Sequence, residues 1–252
     1  MQYVLETFII SCSSGFSPAG RTCPGGALAG RDIDRSILDL WERGRDRYVK
    51  ERVLACADAL ARRDFSVLPV PTISEANRLI VGEVRRTSTV YYWEEATLKD
   101  LGILETLSAR GNSVRSVIPL LGGRSMRRRR RAMRGSDCFM TTVGAVTMDG
   151  VLVKLEPENL PVFSRGGSPG QVIVVAGVNK IVDDLEDGLA RARDAFMPRS
   201  ASLLRMDTRC AQEEHCVECD SPPSMCAVST IVTRKPASVD FLVVLIGEQL
   251  GY

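Results

Sequence analysis

Short β-branched runs alternate with helix-period segments over roughly 200 residues, and this alternation limits the folds open to the chain. The plainest strand is QVIVVA, Gln171 to Ala176, whose apolar run suits the interior of a parallel sheet. Further strands are expected at Phe65 to Val70, Ser88 to Tyr92, Val114 to Leu120, Cys138 to Thr142, Val228 to Arg234 and Phe241 to Ile246. Between them Val49, Val53, Cys56 and Leu60 recur at helical steps, which makes Cys56 a small core residue. Thr72 with Glu75 forms a capping box that starts a helix through Val84. Thr97 opens another helix, carrying Leu98, Leu101 and Leu104. Asp183 to Phe196 reads as a helix with Leu185, Leu189, Ala192 and Phe196 on one face. Asp149-Gly150 interrupts the apolar run Gly144 to Leu155, a hairpin signal that predicts one antiparallel excursion. The expectation is an α/β fold, a mainly parallel sheet flanked by helices.

The chain has 252 residues, with 44% apolar and 25% charged residues, enough to bury a core without staples. Residues 1–34 include SSGFSPAGRTCPGGALAG, which has no period and reads as a flexible N-terminal arm; residues 35–252 form the α/β domain. No apolar run approaches the roughly 20 residues a spanning helix needs. The N-terminus lacks a basic region before its apolar patch, so a signal peptide is not expected and the default compartment is the cytoplasm. Disulfides are disfavoured there. A net charge of +2 gives no ground for a nucleic-acid or membrane partner.

Cysteines supply the most informative motif. Cys210, Cys216, Cys219 and Cys226 follow the spacing C-x5-C-x2-C-x6-C, and a C-x2-C pair can point both sulfurs at one centre. The loop between them is polar and turn-forming, so a metal would hold it together. A [4Fe–4S] cluster and a closed zinc site both take four thiolates, and idle thiols are the third reading. The chain's single histidine, His215, disfavours a catalytic zinc site, though it can replace one cysteine as a ligand.

Four segments carry a resemblance to a known family: TTVGAVTMDGVLVKL (Thr141 to Leu155), VIVVAGVNKIVDDLEDGLARAR (Val172 to Arg193), the cysteine cluster with its SPP, and the ending LIGEQLGY. In that order, from about Phe65 to Tyr252, the chain resembles the LUD-domain proteins of lactate utilisation. The resemblance implies a fold related to the NagB/RpiA/CoA-transferase superfamily, with a C-terminal Cys-rich loop. It also implies a cytoplasmic subunit or accessory factor, associated with iron–sulfur oxidoreductase subunits, in the oxidation of lactate to pyruvate. The alternatives are a CoA-transferase- or isomerase-like enzyme on a small anionic substrate, and a metabolite-binding regulatory module.

Gly177, Asn179 and Lys180 match the family and lie between a strand and a helix, where open α/β sheets bind ligands. Lys180 can neutralise a small carboxylate or phosphate and Asn179 can hydrogen-bond it; the competing reading is a surface turn with a solvated lysine. Thr141 and Thr142 either offer hydroxyls to a ligand or pack as strand residues. Glu248 is either a general base or a surface carboxylate. Two departures weaken the pocket. Trp93-Glu94-Glu95 replaces an expected Gly-Gly-Ser loop, and its glutamates are expected to repel an anion. Asn159-Leu160-Pro161 replaces an expected Gly-Asn-Arg. Arg124, Arg127 to Arg131 and Arg134 form a basic run without interleaved aromatics, which suits a solvated helix or an interaction patch better than RNA.

Overall fold

The computed structural model describes residues 41, 47–117, 136–156, 170–218 and 226–252. The N-terminal arm, the arginine run, Asn159-Leu160-Pro161 and Cys219 lie outside them.

Helix α1 (Arg47–Ala61) leads into strand β1 (Ser66–Val70) and helix α2 (Ile73–Glu83). Then come β2 (Thr89–Tyr92), α3 (Ala96–Leu101), α4 (Ile103–Ala109) and β3 (Ser113–Ser116). Strand β4 (Cys138–Thr142) feeds a hairpin of β5 (Ala145–Thr147) and β6 (Leu152–Glu156). Strand β7 (Gln171–Gly177) runs into a 3-10 turn (Val178–Lys180) and β8 (Ile181–Val182). Helices α5 (Leu185–Arg191), α6 (Met197–Leu203) and α7 (Arg209–Glu213) precede β9 (Val228–Val232) and β10 (Asp240–Ile246).

Six strands form one sheet in the order β1-β10-β7-β4-β2-β3, and every neighbouring pair is parallel. The expected parallel sheet is present. Strands β7 and β10 are neighbours in its interior, and Val172 to Ala176 and Val243 to Ile246 are 0% exposed, as two covered faces require. Four strands make a second sheet, β8-β5-β6-β9, in which β6 is antiparallel to both β5 and β9. The Asp149-Gly150 hairpin, placed between β4 and β7 in the chain, is therefore the core of a small second sheet.

Local chemistry explains the element ends. Thr72 caps α2 by accepting from the Glu75 amide at 3.3 Å, and its hydroxyl donates to the Glu75 carboxylate at 2.9 Å. Asp184 caps α5 through the Asp187 amide. The helix expected to end at Phe196 instead continues into α6 through a π-turn, Ala192–Phe196. One extra residue per turn widens the helix there. Phe196, Met197 and Ala192 pack on Ala145 and Val153 of the hairpin, giving the small sheet its own apolar cluster. Cys56 is fully buried, as the helical stripe requires, and its thiol lies 3.6 Å from the Thr147 carbonyl oxygen.

Candidate functional site at the carboxyl edge of the sheet

All six parallel strands point the same way, so the chain leaving β2, β4, β7 and β10 collects at one edge. Ligands of open α/β sheets bind at such an edge. Four of the residues expected there, Thr141, Thr142, Asn179 and Lys180, and the end of β7 at Gly177, do come together around it.

From β2 the chain turns through Trp93 to Glu95, the residue before α3. Glutamate is a poor cap, and its side chain makes no capping bond to the helix. It turns inward instead. One carboxylate oxygen accepts from the Thr142 amide at 2.8 Å and from the Thr141 hydroxyl at 3.4 Å. The other accepts from the Lys154 ammonium at 2.9 Å. Lys154 arrives from β6, donates also to the Thr141 hydroxyl at 2.6 Å and the Thr142 carbonyl at 3.0 Å, and so uses all three N–H groups. Both side chains are about as buried as leucines, 3% and 5% exposed. The expectation that Glu95 repels an anion is corrected by this pairing. Lys154 neutralises it, and the residue ties the hairpin to β4. Thr142 donates its hydroxyl to the Val175 carbonyl at 2.6 Å, so both threonine hydroxyls are engaged within the protein.

Lys180 has a different environment. It is 0% exposed, which removes the reading of a solvated surface lysine. Its ammonium donates to the backbone oxygen of Tyr252 at 2.8 Å and lies 4.8 Å from the centre of the Phe196 ring, a cation–π contact made possible by the π-turn. Among the described residues no Asp or Glu side chain lies within ion-pair distance of it. Burial above all, then the Arg191 guanidinium, push its proton affinity down to about 7; Glu95 acts in the opposite sense and Lys154 adds to the push.

Asn179 holds the last described residues. Its side-chain oxygen accepts from the Leu250 amide at 3.1 Å, and its amide donates to the Gly251 carbonyl at 3.4 Å. Gly177 makes this approach possible. A Cβ there would lie 2.7 Å from the Leu250 nitrogen and 2.7 Å from the Glu248 oxygen. Gly251 has φ +63°, and a Cβ on it would clash with the Thr97 hydroxyl. The 250–252 segment thus threads between the end of β7 and the start of α3, over Lys180. Sequence patterns point to Gly177, Asn179 and Lys180, but nothing local signals that the chain's own residues occupy them. Glu248 accepts from the Ile73 amide at 2.6 Å, so it caps α2 as an anion at a helix N-terminus. Arg191 was missed by the sequence reading. It donates to the Asn179 carbonyl at 2.8 Å and to the Gly144 carbonyl, bracing the turn that carries Lys180.

The cysteines do not gather in the described residues. Cys210 is buried in the small sheet's apolar cluster, 3.3 Å from the Thr208 hydroxyl. Cys216 is half-buried and Cys226 is exposed. Among the described residues no three His, Cys, Asp or Glu side chains form a group able to hold a metal. Nor is any described helix long and apolar enough to cross a membrane.

No curated protein matches the chain. A crystal structure of a DUF162-family protein from Deinococcus radiodurans aligns with a TM-score of 0.45 and 11% identity, over 80% of this chain and 99% of that one. The family model of the LUD domain matches residues 55–246, from α1 to the end of β10. With that match covering most of its length, the chain belongs to the LUD-domain family.

Proposed function

We propose that this LUD-domain protein serves lactate utilisation by binding a small carboxylate at the carboxyl edge of its sheet, through Lys180 and Asn179. LUD-domain proteins are associated with lactate utilisation in general. The observation that carries the reading is the state of Lys180. A buried ammonium held by one backbone oxygen and an aromatic face is the group on which a ligand carboxylate would settle. Glu95 is no obstacle, because Lys154 already balances its charge.

Calorimetric titration with lactate and pyruvate tests this, with acetate as the carboxylate lacking the second oxygen function. Saturable binding that disappears in Lys180→Met is the expected result. A ligand at a hundred times its Kd should also stabilise the fold by about 2.7 kcal/mol. Binding of equal strength in Lys180→Met would place the site elsewhere.

The cysteine spacing supports a second reading, in which Cys210, Cys216, Cys219 and Cys226 hold an iron–sulfur cluster or zinc and the protein works beside iron–sulfur oxidoreductase subunits. The C-x2-C pair and the accessible Cys216 and Cys226 favour it; Cys210, packed among apolar side chains, does not. Iron, zinc and sulfide analysis of protein purified without oxygen decides it. Colourless, metal-free protein after reconstitution removes this reading and leaves the carboxylate site untouched.

A further inference from the structure

Two lysines are buried at the carboxyl edge, and they are compensated in opposite ways. Lys154 faces a carboxylate and fills all three of its donor positions. It is a structural cation, committed to Glu95. Lys180 rests on an aromatic face and meets one backbone oxygen; Arg191 and Lys154 disfavour its charge, while Glu95 favours it. A desolvated amine with cations nearby is the arrangement that keeps a lysine unprotonated and nucleophilic.

We propose that Lys180 is a nucleophile that forms an imine with the carbonyl carbon of a small 2-oxo carboxylate, once the Gly251–Tyr252 segment lifts from it. This deepens the carboxylate-binding reading and rests on it. The step needs no oxidant or co-reactant. The amine nitrogen of Lys180 adds to the carbonyl carbon, the C–O bond then breaks, and both amine hydrogens leave with that oxygen as water, giving C=N.

Three features of the edge fit this chemistry. The first is cationic. Arg191 braces the Lys180 turn through the Asn179 carbonyl, and the Arg199 guanidinium lies 5.9 Å from the centre of the Tyr252 ring, beside the covering segment. A ligand that displaces the Tyr252 oxygen brings its carboxylate toward the Arg199 guanidinium. The second is a polar group in want of a partner. Phe196, whose ring underlies Lys180, also lines a small, partly open cavity with Trp93, Glu95, Lys154, Met197 and Ser200, which Lys180 itself does not line. Ser200 is 5% exposed, and its hydroxyl has no hydrogen-bond partner among the described residues. Such a group costs free energy until an oxygen or water reaches it. The third is the cover itself. Gly251 and Tyr252 are only half-buried, and Asn179 holds Gly251 by a long 3.4 Å contact. Opening this segment breaks the Lys180 and Asn179 hydrogen bonds, the Arg199 contact and the packing of Tyr252 on the small sheet's cluster, but unfolds no helix or strand.

Reductive trapping tests the proposal on the full chain. The protein is incubated with pyruvate and sodium cyanoborohydride, and the modified lysine is located by peptide mass mapping. The expected result is modification at Lys180 at least about tenfold faster than at any other lysine. Lactate, which has no carbonyl carbon to attack, should give none. Gly251→Ala strains the cover against Thr97 and should raise the rate at Lys180 several-fold. Lys180→Arg keeps the positive charge but cannot form the imine, so it should retain pyruvate binding and lose the adduct. Adducts spread over other lysines, with Lys180 unmodified in both wild type and Gly251→Ala, overturn the proposal. If calorimetry still detects pyruvate, only the imine falls. If it detects no carboxylate at all, the binding reading falls with it.

Discussion

The buried pair of Glu95 and Lys154 offers the sharpest test of how this edge is held. Lys154→Met removes the ammonium and leaves a carboxylate that is 3% exposed, with the Thr142 amide and the Thr141 hydroxyl still in place. Two hydrogen bonds do not replace a cation at 2.9 Å in a dry interior. Removing one partner of a buried pair costs about 3–5 kcal/mol, because the other charge stays behind. For a domain of this size each kcal/mol lowers Tm by roughly 2–4 °C, so a fall of about 6–20 °C is expected. Glu95→Gln should cost a similar amount, since it strands the ammonium. The double variant should cost clearly less than the sum of the two, with a coupling energy of about 2 kcal/mol or more. Urea unfolding of wild type, both single variants and the double variant closes the cycle. If Lys154→Met costs under about 1 kcal/mol, or the two changes add within about 0.5 kcal/mol, the pair is not the anchor the geometry describes.

Lys180 should make stability depend on pH. Its proton affinity is lowered from 10.5 to about 7 in the fold, so between those values the unfolded chain binds the extra proton and the native state does not. Stability should therefore rise from pH 7 toward pH 10, by up to about 1.4 kcal/mol per pH unit, and this part of the slope should vanish in Lys180→Met. An identical slope in both proteins would show that Lys180 is not held in this environment. Gly177→Ala should destabilise by about 1–3 kcal/mol, because its Cβ would meet backbone at 2.7 Å, and should speed amide exchange at Leu250; unchanged exchange there refutes the threading of the 250–252 segment. Among the described thiols, Cys226 should alkylate first in the native protein, while Cys56 and Cys138, pushed up to about 12 chiefly by burial, should react only on unfolding. Fast labelling of Cys138 in native protein would contradict its place in β4.

Much of the fold was written locally. Apolar runs bounded by turn residues marked β1, β4, β7 and β10, and the Thr72 capping box marked the start of α2, because period and capping depend on residues a few positions apart. The Asp149-Gly150 hairpin was equally readable. Lys180 and Asn179 could be marked as site residues from their place after a strand, and no more than that. Their partners sit 72 residues away at Tyr252 and Gly251, and the partner of Glu95 is 59 residues away at Lys154. In the sequence each of these charges looks like an ordinary surface residue. Only the tertiary structure, by bringing the ends of β2, β4 and β7 and the middle of β6 to one edge, decided that Glu95 is paired with a lysine, that Lys180 meets a backbone oxygen and an aromatic ring, and that Cys210 packs with apolar side chains. The physical reason is that a charge is committed or available according to what the fold places within a few ångströms of it, and sequence separation carries no such information.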